Sequence, residues 1–188
     1  MRQLTATTLL LLLAALPMAG CSEDAGDVDS GGVSLTISDF DGLPTLIGME
    51  QAAAIGLVSI DTLTIESIVQ NPELGSTDLQ TIKLRSYEVR YSRADGGERV
   101  PTPLVEGLIS TVPVGGQTTF DNLPILRIEQ LRNPPLSDLL FANGGVDDET
   151  GNDVIKLNLR LRFFGETLGG RNVVSQPQSF TVDFIPSL

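Results

Sequence analysis

The stretch IKLNLRLRF at residues 155–163 decides the fold class of this chain. Its odd-numbered positions hold isoleucine, leucine and phenylalanine, and its even-numbered positions hold lysine, asparagine and arginine. Because side chains alternate between the two faces of a β-strand, this pattern predicts one apolar face and one polar, basic face. The stretch is therefore predicted to be a half-buried strand that covers a hydrophobic core.

Other segments of the chain have the same character and are separated by turn residues. They are rich in Val, Ile, Leu, Thr and Phe, and several end at Gly or Asn-Pro pairs. The glycine-rich segment 165–170 is predicted to contain the turn that returns the chain to its last strand. The remaining predicted strands are 33–37, 57–69, 82–91, 104–112, 117–120 and 180–184.

The strand 82–91 changes its apolar phase midway. Ile82 and Leu84 are even-numbered, whereas Tyr87, Val89 and Tyr91 are odd-numbered. One extra residue near positions 85 and 86 would return all five side chains to the same face. A β-bulge is predicted at this point.

The segment 125–143 interrupts the β pattern. It contains Pro134-Pro135, and leucines at 136, 139 and 140 suit a short helix that ends near Gly144. Residues 49–55 suit a second brief helical turn. With no long helical period elsewhere, the prediction is an all-β fold, an immunoglobulin-like antiparallel β-sandwich of seven to eight strands with a short helical crossover between the sheets.

The first 32 residues differ from the rest of the chain. Arg2, an apolar run at 9–16 and the small pair Ala19-Gly20 are typical of a secretory signal peptide, and the run is too short to span a bilayer. The acidic, glycine-rich stretch CSEDAGDVDSGG follows, and it has too little apolar surface to fold. The predicted organisation is a signal peptide at 1–20, a flexible acidic tether at 21–32 and one domain at 33–188.

The residues Leu16-Pro17-Met18-Ala19-Gly20-Cys21 resemble the lipobox of bacterial lipoproteins. The resemblance implies that Cys21 receives a diacylglycerol on its sulfur, is freed by cleavage before it and is acylated again with fatty acids such as palmitate. Ser22 resembles the outer-membrane sorting pattern of these proteins. The expected partner is therefore the membrane, through lipid on Cys21, and the expected location is the bacterial cell envelope at the outer membrane. Plain secretion, with cleavage near Ala19, would instead leave Cys21 as an unpaired thiol.

Composition excludes several classes of function. The chain has 12 basic and 24 acidic residues, for a net charge of −12, so nucleic acid is not an expected partner. It has no histidine and one cysteine, which removes histidine-based triads, thiol nucleophiles and the usual zinc and haem ligands. We expect no cofactor and no enzyme activity, although hydrolysis by paired carboxylates stays open.

Three groups of charged residues are candidates for binding. The acidic loop at 147–153 offers oxygen ligands for calcium, but its spacing does not match an EF-hand, and a plain polar loop is the alternative. Arg160 and Arg162 form a basic pair on one strand face, suited to a protein partner or to ion pairs with neighbouring strands. Charged residues around the turn at 95–97, with Arg93 among them, are predicted to be a solvated edge. The calcium candidates are Asp147, Asp148, Glu149 and Asp153.

Residues 65–120 resemble the late-embryogenesis-abundant type 2, or water-stress, domain, which has an immunoglobulin-like fold. The matching features are the strand that ends at Asn71-Pro72, the triplet Tyr87-Glu88-Val89 and the turn Val112-Pro113-Val114-Gly115-Gly116. The resemblance implies a sandwich and supplies no site residues. The expected function is a non-catalytic structural or binding module that meets an unidentified envelope protein or ligand. A carrier that holds an apolar ligand between the sheets and a carboxylate-dependent hydrolase are the alternatives.

Overall fold

A computed structural model describes residues 32–188, and this part of the chain is built mainly of β-strands. No helix within it is long and apolar enough to cross a membrane. The helices are α1 (Met49–Ile55) and α2 (Ile128–Leu131), with 3₁₀ turns at Pro72–Leu74, Asp78–Gln80, Leu136–Leu139 and Phe141–Asn143. The strands are β1 (Val33–Asp41), β2 (Leu46–Gly48), β3 (Leu57–Val69), β4 (Ile82–Arg93), β5 (Leu104–Val112), β6 (Gln117–Arg127), β7 (Ile155–Thr167), β8 (Asn172–Val174) and β9 (Gln178–Ile185).

These strands form two sheets with one hydrophobic core between them. The smaller sheet has the order β1-β3-β6 and is antiparallel. The larger sheet has the order β2-β9-β7-β4-β5, and β8 pairs with β7 beside β9. The predicted all-β sandwich is confirmed. The number of strands in the described residues, nine, is larger than the predicted seven to eight. The difference arises because β2 and β8, of three residues each, are too short to show alternation.

β7 lies at the centre of the larger sheet, between β9 and β4. Its odd-numbered side chains are all buried, and its even-numbered ones are half-buried or exposed, as the alternation predicted. The strand continues past Phe163 to Thr167, so Gly165 belongs to the strand and the turn begins later. This central position explains why 155–163 has the clearest alternation in the sequence: one of its faces is wholly covered by the other sheet.

The predicted bulge in β4 is confirmed. The register of β4 shifts between Leu84 and Ser86 against both of its neighbours. Ile82 and Leu84 before the shift are buried, as are Tyr87, Val89 and Tyr91 after it. The shift therefore keeps two apolar runs of opposite parity on one face of the sheet.

β6 is longer than the sequence pattern predicted, because it continues beyond Phe120 to Arg127. The pattern breaks at Asn122, which has a positive φ of 52°, and at Pro124, which has no N–H to donate. β6 is an edge strand of the smaller sheet, paired with β3 alone among the described strands, and edge strands tolerate proline. The prediction that the crossover starts at residue 125 was wrong by three residues.

The crossover after β6 carries the chain from the smaller to the larger sheet. It contains α2 and two 3₁₀ turns, in agreement with the predicted short helical crossover. Leu131, Leu136 and Leu139 are fully buried against the core. These leucines hold the crossover against one end of the sandwich.

The sandwich has two ends, which we call the Gly32 end and the crossover end after the segments that lie there. The Gly32 end contains Gly32 and the segments 70–81, 113–116 and 167–172; the backbone N–H of Gln70 donates to the carbonyl of Gly32 at 2.8 Å. The crossover end contains α1, the β4–β5 connection and the crossover. The predicted signal peptide, Cys21 and all of the predicted tether before Gly32 lie outside the described residues.

Candidate functional site

A buried ion cluster lies at the crossover end. The Arg93 side chain, at the end of β4, is only 2% exposed. Its Nε donates to Asp95 Oδ1 at 2.7 Å, and its Nη2 donates to Asp147 Oδ2 at 2.8 Å. The prediction of a solvated edge was wrong for Arg93, because the acidic loop of the crossover folds over the end of β4 and covers it.

A second arginine extends this cluster. Arg99 Nη2 donates to Asp138 Oδ2 at 3.0 Å, and the backbone amides of Glu98 and Arg99 donate to the Glu149 carboxylate at 2.7 and 3.0 Å. These contacts fasten the β4–β5 connection to the crossover. We call this group the Arg93 cluster; it comprises Arg93, Asp95, Arg99, Asp138, Asp147 and Glu149.

The four calcium candidates differ in their surroundings. Asp147 and Glu149 accept hydrogen bonds from arginines or backbone amides in the Arg93 cluster, whereas Asp148 and Asp153 are exposed. Within residues 32–188, no group of three or more His, Cys, Asp or Glu side chains is placed to hold a metal ion. The acidic loop contacts arginine side chains and backbone amides, and calcium binding by this loop stays a prediction.

Three carboxyls of this cluster have lowered pKa values. Burial raises the pKa of Asp147, but hydrogen bonds from the Arg93 guanidinium and the Thr150 hydroxyl outweigh burial and lower it to about 2. For Asp95, burial is likewise outweighed by hydrogen bonds from Arg93 and two backbone amides, so its pKa is lowered. Two backbone amides also lower the pKa of Glu149. A general acid or base needs a pKa near the working pH, and these three carboxyls do not have one at neutrality.

Arg160 and Arg162 lie half-buried on the outer face of β7. In the β4–β7 register, Arg162 is opposite Glu88 and Arg160 is opposite Arg90. Glu88 also pairs with Arg90, whose Nε lies 2.9 Å from Glu88 Oε1. Both Arg160 and Arg162 have partners within the chain. Glu88 is therefore placed next to arginines on both strands, as in the cross-strand ion pairing predicted as the alternative, whereas Arg160 and Arg90 carry like charges.

The space between the sheets is filled with side chains. Phe163 of β7 is fully buried, and its ring centroid lies 5.6 Å from that of Tyr87 and 6.2 Å from that of Phe120, on the opposite sheet. A continuous cluster of buried apolar residues from both sheets surrounds these rings. A carrier of the predicted kind would need room between the sheets at this level, where the three rings lie in contact.

The outer edge of β5 presents a different surface. β5 is a terminal strand of the larger sheet, and among residues 32–188 no strand pairs with its outer edge. On its outward face Val105 is 64% exposed and Ile109 is fully exposed, with Gly107 between them. Lys83 and Arg85 of β4 lie beside Ile109 and line a shallow depression with it. We call this surface the β5 edge.

The edge strand β6 is blocked in a way that β5 is not. On the edge strand β6, Pro124 has no N–H, and the Tyr87 and Tyr91 hydroxyls donate to the carbonyls of Pro124 and Ile125 at 2.9 and 2.7 Å. β1 has a register irregularity in its middle, and the β4–β5 pairing has one as well, between Gly107 and Ser110 of β5. β5 contains no proline, and its outward side chains are apolar or small. An edge of this kind is open to pairing with another strand.

Sequence reasoning did not single out the β5 edge, although the sequence contains its signal. Within 104–112, leucines and valine at positions 104, 108 and 112 are even-numbered, but Val105 and Ile109 are odd-numbered. Both faces of the predicted strand are therefore apolar. Such a pattern indicates either a strand buried on both faces or an exposed binding surface.

Comparison with known proteins gives one structural similarity. No family model matches the chain, and no curated protein matches it. A solution structure named as a late embryogenesis abundant (LEA) protein is similar to it, with 12% sequence identity, a TM-score of 0.40 and coverage of 83% of this chain and 72% of that chain. Its name is that of the family which residues 65–120 resemble. The similarity does not show that this chain belongs to that family.

Proposed function

We propose that this chain is a lipid-anchored, non-catalytic binding module of the bacterial cell envelope. In this proposal the chain is a lipoprotein precursor, Cys21 carries the lipid, the outer membrane holds it, and the domain at 33–188 binds an envelope protein. The lipobox and the acidic composition of the predicted tether support the anchor. The turn Val112-Pro113-Val114-Gly115-Gly116 supports kinship with the immunoglobulin-like water-stress domains.

The open β5 edge is the observation that supports binding. A strand edge has backbone N–H and C=O groups that an added strand can satisfy, and the exposed Val105 and Ile109 give such a strand an apolar face to cover. Lys83 and Arg85 lie beside them; because Arg85 pairs with Glu166, the positive charge next to the apolar side chains comes from Lys83. The expected partner is therefore an extended segment with apolar side chains at alternate positions and acidic residues next to them.

The lipid anchor is tested by Cys21→Ser. We expect this variant to leave the membrane fraction and to lose labelling by a fatty-acid probe, because no other cysteine is present to carry the lipid. Ser22→Ala, which leaves the sulfur in place, serves as the control for acylation. Membrane association of Cys21→Ser that detergent dissolves would contradict the anchor.

The β5 edge is tested by photo-crosslinking in cells. A photoreactive residue in place of the exposed Thr111 is expected to crosslink to an envelope protein. Ile109→Lys should reduce this product several-fold, because a charged side chain replaces the apolar contact. Ile55→Lys is the matched control, since Ile55 is 74% exposed and lies at the crossover end. A crosslinked product of twice the chain mass would identify a second copy of the chain as the partner. Equal yields of the crosslinked product in Ile109→Lys and Ile55→Lys would refute the role of the β5 edge.

The two alternatives have less support. A carrier would require the packed rings of Phe163, Tyr87 and Phe120 to separate. A carboxylate-dependent hydrolase would require a raised pKa, whereas those of Asp95, Asp147 and Glu149 are lowered. Turnover of any substrate in a hydrolase panel, lost on substitution of a single carboxylate, would favour the hydrolase over the binding module.

A further inference from the structure

We propose that the Gly32 end of the sandwich lies against the lipid surface, with Leu79 and Leu168 in contact with the membrane interface and Arg171 near the phosphate groups. This inference rests on the proposed lipid anchor at Cys21. It adds a second contact with the membrane, made by the folded domain itself. It also leaves the crossover end pointing away from the bilayer.

The place where the described chain begins supports this orientation. Gly32 lies beside the 3₁₀ turn Asp78–Gln80: a Cβ placed on Gly32 would be 3.1 Å from Gln80 Nε2. Only ten residues separate Gly32 from Cys21, and ten residues extend over at most about 35 Å. A lipid on Cys21 therefore keeps this end of the sandwich close to the bilayer. β3 alone, of 13 residues, places the opposite end about 40 Å further along the strand direction.

Two exposed leucines project from neighbouring loops at this end. Leu79 is 62% exposed and Leu168 is 43% exposed. The loops are joined by backbone hydrogen bonds, from Leu168 N–H to the Thr81 carbonyl and from Gly169 N–H to the Leu79 carbonyl, each 2.9 Å long. The two side chains are thus held by fixed backbone on one small surface. Exposed leucines at a loop tip gain free energy when they enter a membrane interface.

An open pocket lies next to Leu79. It has a volume of about 250 Å³ and is lined by Leu79, Thr77, Gly169 and Arg171, among others. Arg171 lies in the turn before β8, where its backbone N–H donates to the Thr167 hydroxyl at 3.1 Å. A guanidinium with adjacent hydroxyl and backbone groups matches the chemistry of a lipid phosphate. In a bilayer the phosphate groups lie above the acyl chains. A guanidinium next to exposed apolar side chains matches the order of these two layers.

The distribution of charge is consistent with the same orientation. The segments 70–81 and 167–172 contain two acidic residues, Glu73 and Asp78, and one basic residue, Arg171. The crossover end instead carries the acidic loop of the crossover, with Asp148 and Asp153 exposed to solvent. The predicted tether adds four acidic residues next to the Gly32 end, at positions 23, 24, 27 and 29. Most bacterial lipid surfaces are anionic and repel carboxylates, so the comparison favours the Gly32 end only for the folded part of the chain. A tethered contact needs little affinity of its own, because the anchor holds the domain at high effective concentration.

The test uses site-specific fluorescence on the acylated full chain. Cys21 is the single cysteine and would be blocked by lipid, so a new cysteine can be labelled selectively. One label is placed by Ser76→Cys at the Gly32 end and another by Ala142→Cys at the crossover end; both positions are exposed. Each protein is reconstituted into vesicles of phosphatidylethanolamine and phosphatidylglycerol that contain a spin-labelled phospholipid as quencher. Flotation of the vesicles measures the anchor independently of the contact.

We expect the label at residue 76 to be quenched and the label at residue 142 to remain bright. The double variant Leu79→Asp with Leu168→Asp should reduce quenching at residue 76 by about threefold or more, as expected when buried apolar groups are lost. Flotation should not change. Ile55→Asp, at the crossover end, should leave the quenching as it was. Equal quenching at both labels, or quenching that persists in the double variant, would overturn the inference.

Failure of the anchor is a separate outcome. If the chain carries no acyl group and does not float, the proposed function fails. The unacylated protein, mixed with the same vesicles at millimolar lipid, then tests the surface directly. Quenching at residue 76 but not at residue 142 would support the lipid-facing surface, and its absence at both would reject it.

Discussion

Two tyrosines connect the sheets through their hydroxyl groups. Tyr87 and Tyr91 lie on the inward face of β4 and donate hydrogen bonds to carbonyls of β6 in the opposite sheet. These carbonyls belong to Pro124 and Ile125, next to the register shift in the β3–β6 pairing. The tyrosines therefore satisfy polar groups at an irregular edge while their rings fill the core. They are the only tyrosines in the chain, which also lacks tryptophan.

An alkaline titration should detect this burial. Burial raises the pKa of both hydroxyls well above the ordinary value near 10. Stability contributed by the two tyrosines is complete below about pH 10 and is lost as the pH rises further, because the unfolded chain ionises first. We expect near-ultraviolet absorbance to show almost no tyrosinate in the folded protein at about pH 11. The same chain in urea, as the control, should titrate near pH 10; a gradual titration of the folded protein at that pH would contradict the structure.

Asp147 gives a prediction at acidic pH. Its pKa of about 2 lies below the ordinary value near 4, so its contribution to stability is present above about pH 4 and is lost as the pH falls towards 2. That contribution is about 2 kcal/mol. Asp147→Asn should therefore be destabilised at pH 7 and should lose less stability than the wild type between pH 4 and 2. Urea unfolding at several pH values measures both effects.

The control for Asp147 is Asp148→Asn. Asp148 is the exposed neighbour of Asp147 in the same loop. A substitution there should change the free energy of unfolding by no more than about 0.5 kcal/mol at pH 7. If both variants behave alike, the acidic loop does not hold Arg93 in solution.

At the scale of the element, the close approach of β4 and β7 depends on a glycine. Gly165 of β7 is opposite Leu84 of β4, next to the bulge. A Cβ at position 165 would lie 2.7 Å from the carbonyl oxygen of Lys83, closer than non-bonded atoms allow. Backbone on both sides fixes this distance. The sequence pattern placed Gly165 in the segment that contains the return turn, where glycine is common. In the structure Gly165 lies in the strand, and its role is a close contact between backbones.

Substitution of two strand glycines should give opposite results. Gly165→Ala is expected to lower the free energy of unfolding by about 1–3 kcal/mol, since the new methyl group forces the strands apart. Gly107→Ala in β5 has no atom within 4 Å of the new Cβ, so it should be neutral or stabilise by up to about 1 kcal/mol. Urea denaturation of the two variants measures the difference. Similar losses at both positions would show that glycine flexibility, and not the close approach, matters at Gly165.

At the scale of the whole molecule, the domain begins at one strand that the core requires. Val33, Leu35 and Ile37 of β1 are buried against the core. The carbonyl of Gly32 accepts the first hydrogen bond that ties this strand to the end of β3. The described fold therefore needs the chain from Gly32 onward.

Truncation at two positions tests this boundary. A chain that starts at Gly32 should show a strand-dominated circular dichroism spectrum and a cooperative melt within about 2 °C of a chain that starts at Ser22. A chain that starts at Ser38 should not melt cooperatively, because it lacks three buried side chains and most of an edge strand. Loss of cooperativity in the Gly32 chain would show that residues 22–31 belong to the domain.

The sequence alone determined those features that depend on local periodicity. The alternation at 155–163 predicted the buried face of β7, and the change of parity between Leu84 and Tyr87 predicted the bulge in β4. The leucines around position 136 predicted the helical crossover. In each case the burial of one face selects the residue type at every second position or every helical turn, so the pattern can be read without knowledge of any partner.

Only the tertiary structure decided which charged and apolar side chains are exposed. Arg93 has the same type of neighbours in sequence as a solvated arginine, yet the crossover, more than 50 residues away, buries it against Asp147. Ile109 has the composition of a core residue, yet the sheet order leaves β5 at an edge and exposes it. Sheet order and loop docking depend on contacts between distant segments. Periodicity within one segment carries no information about such contacts, so the fold class could be predicted and the candidate binding surfaces could not.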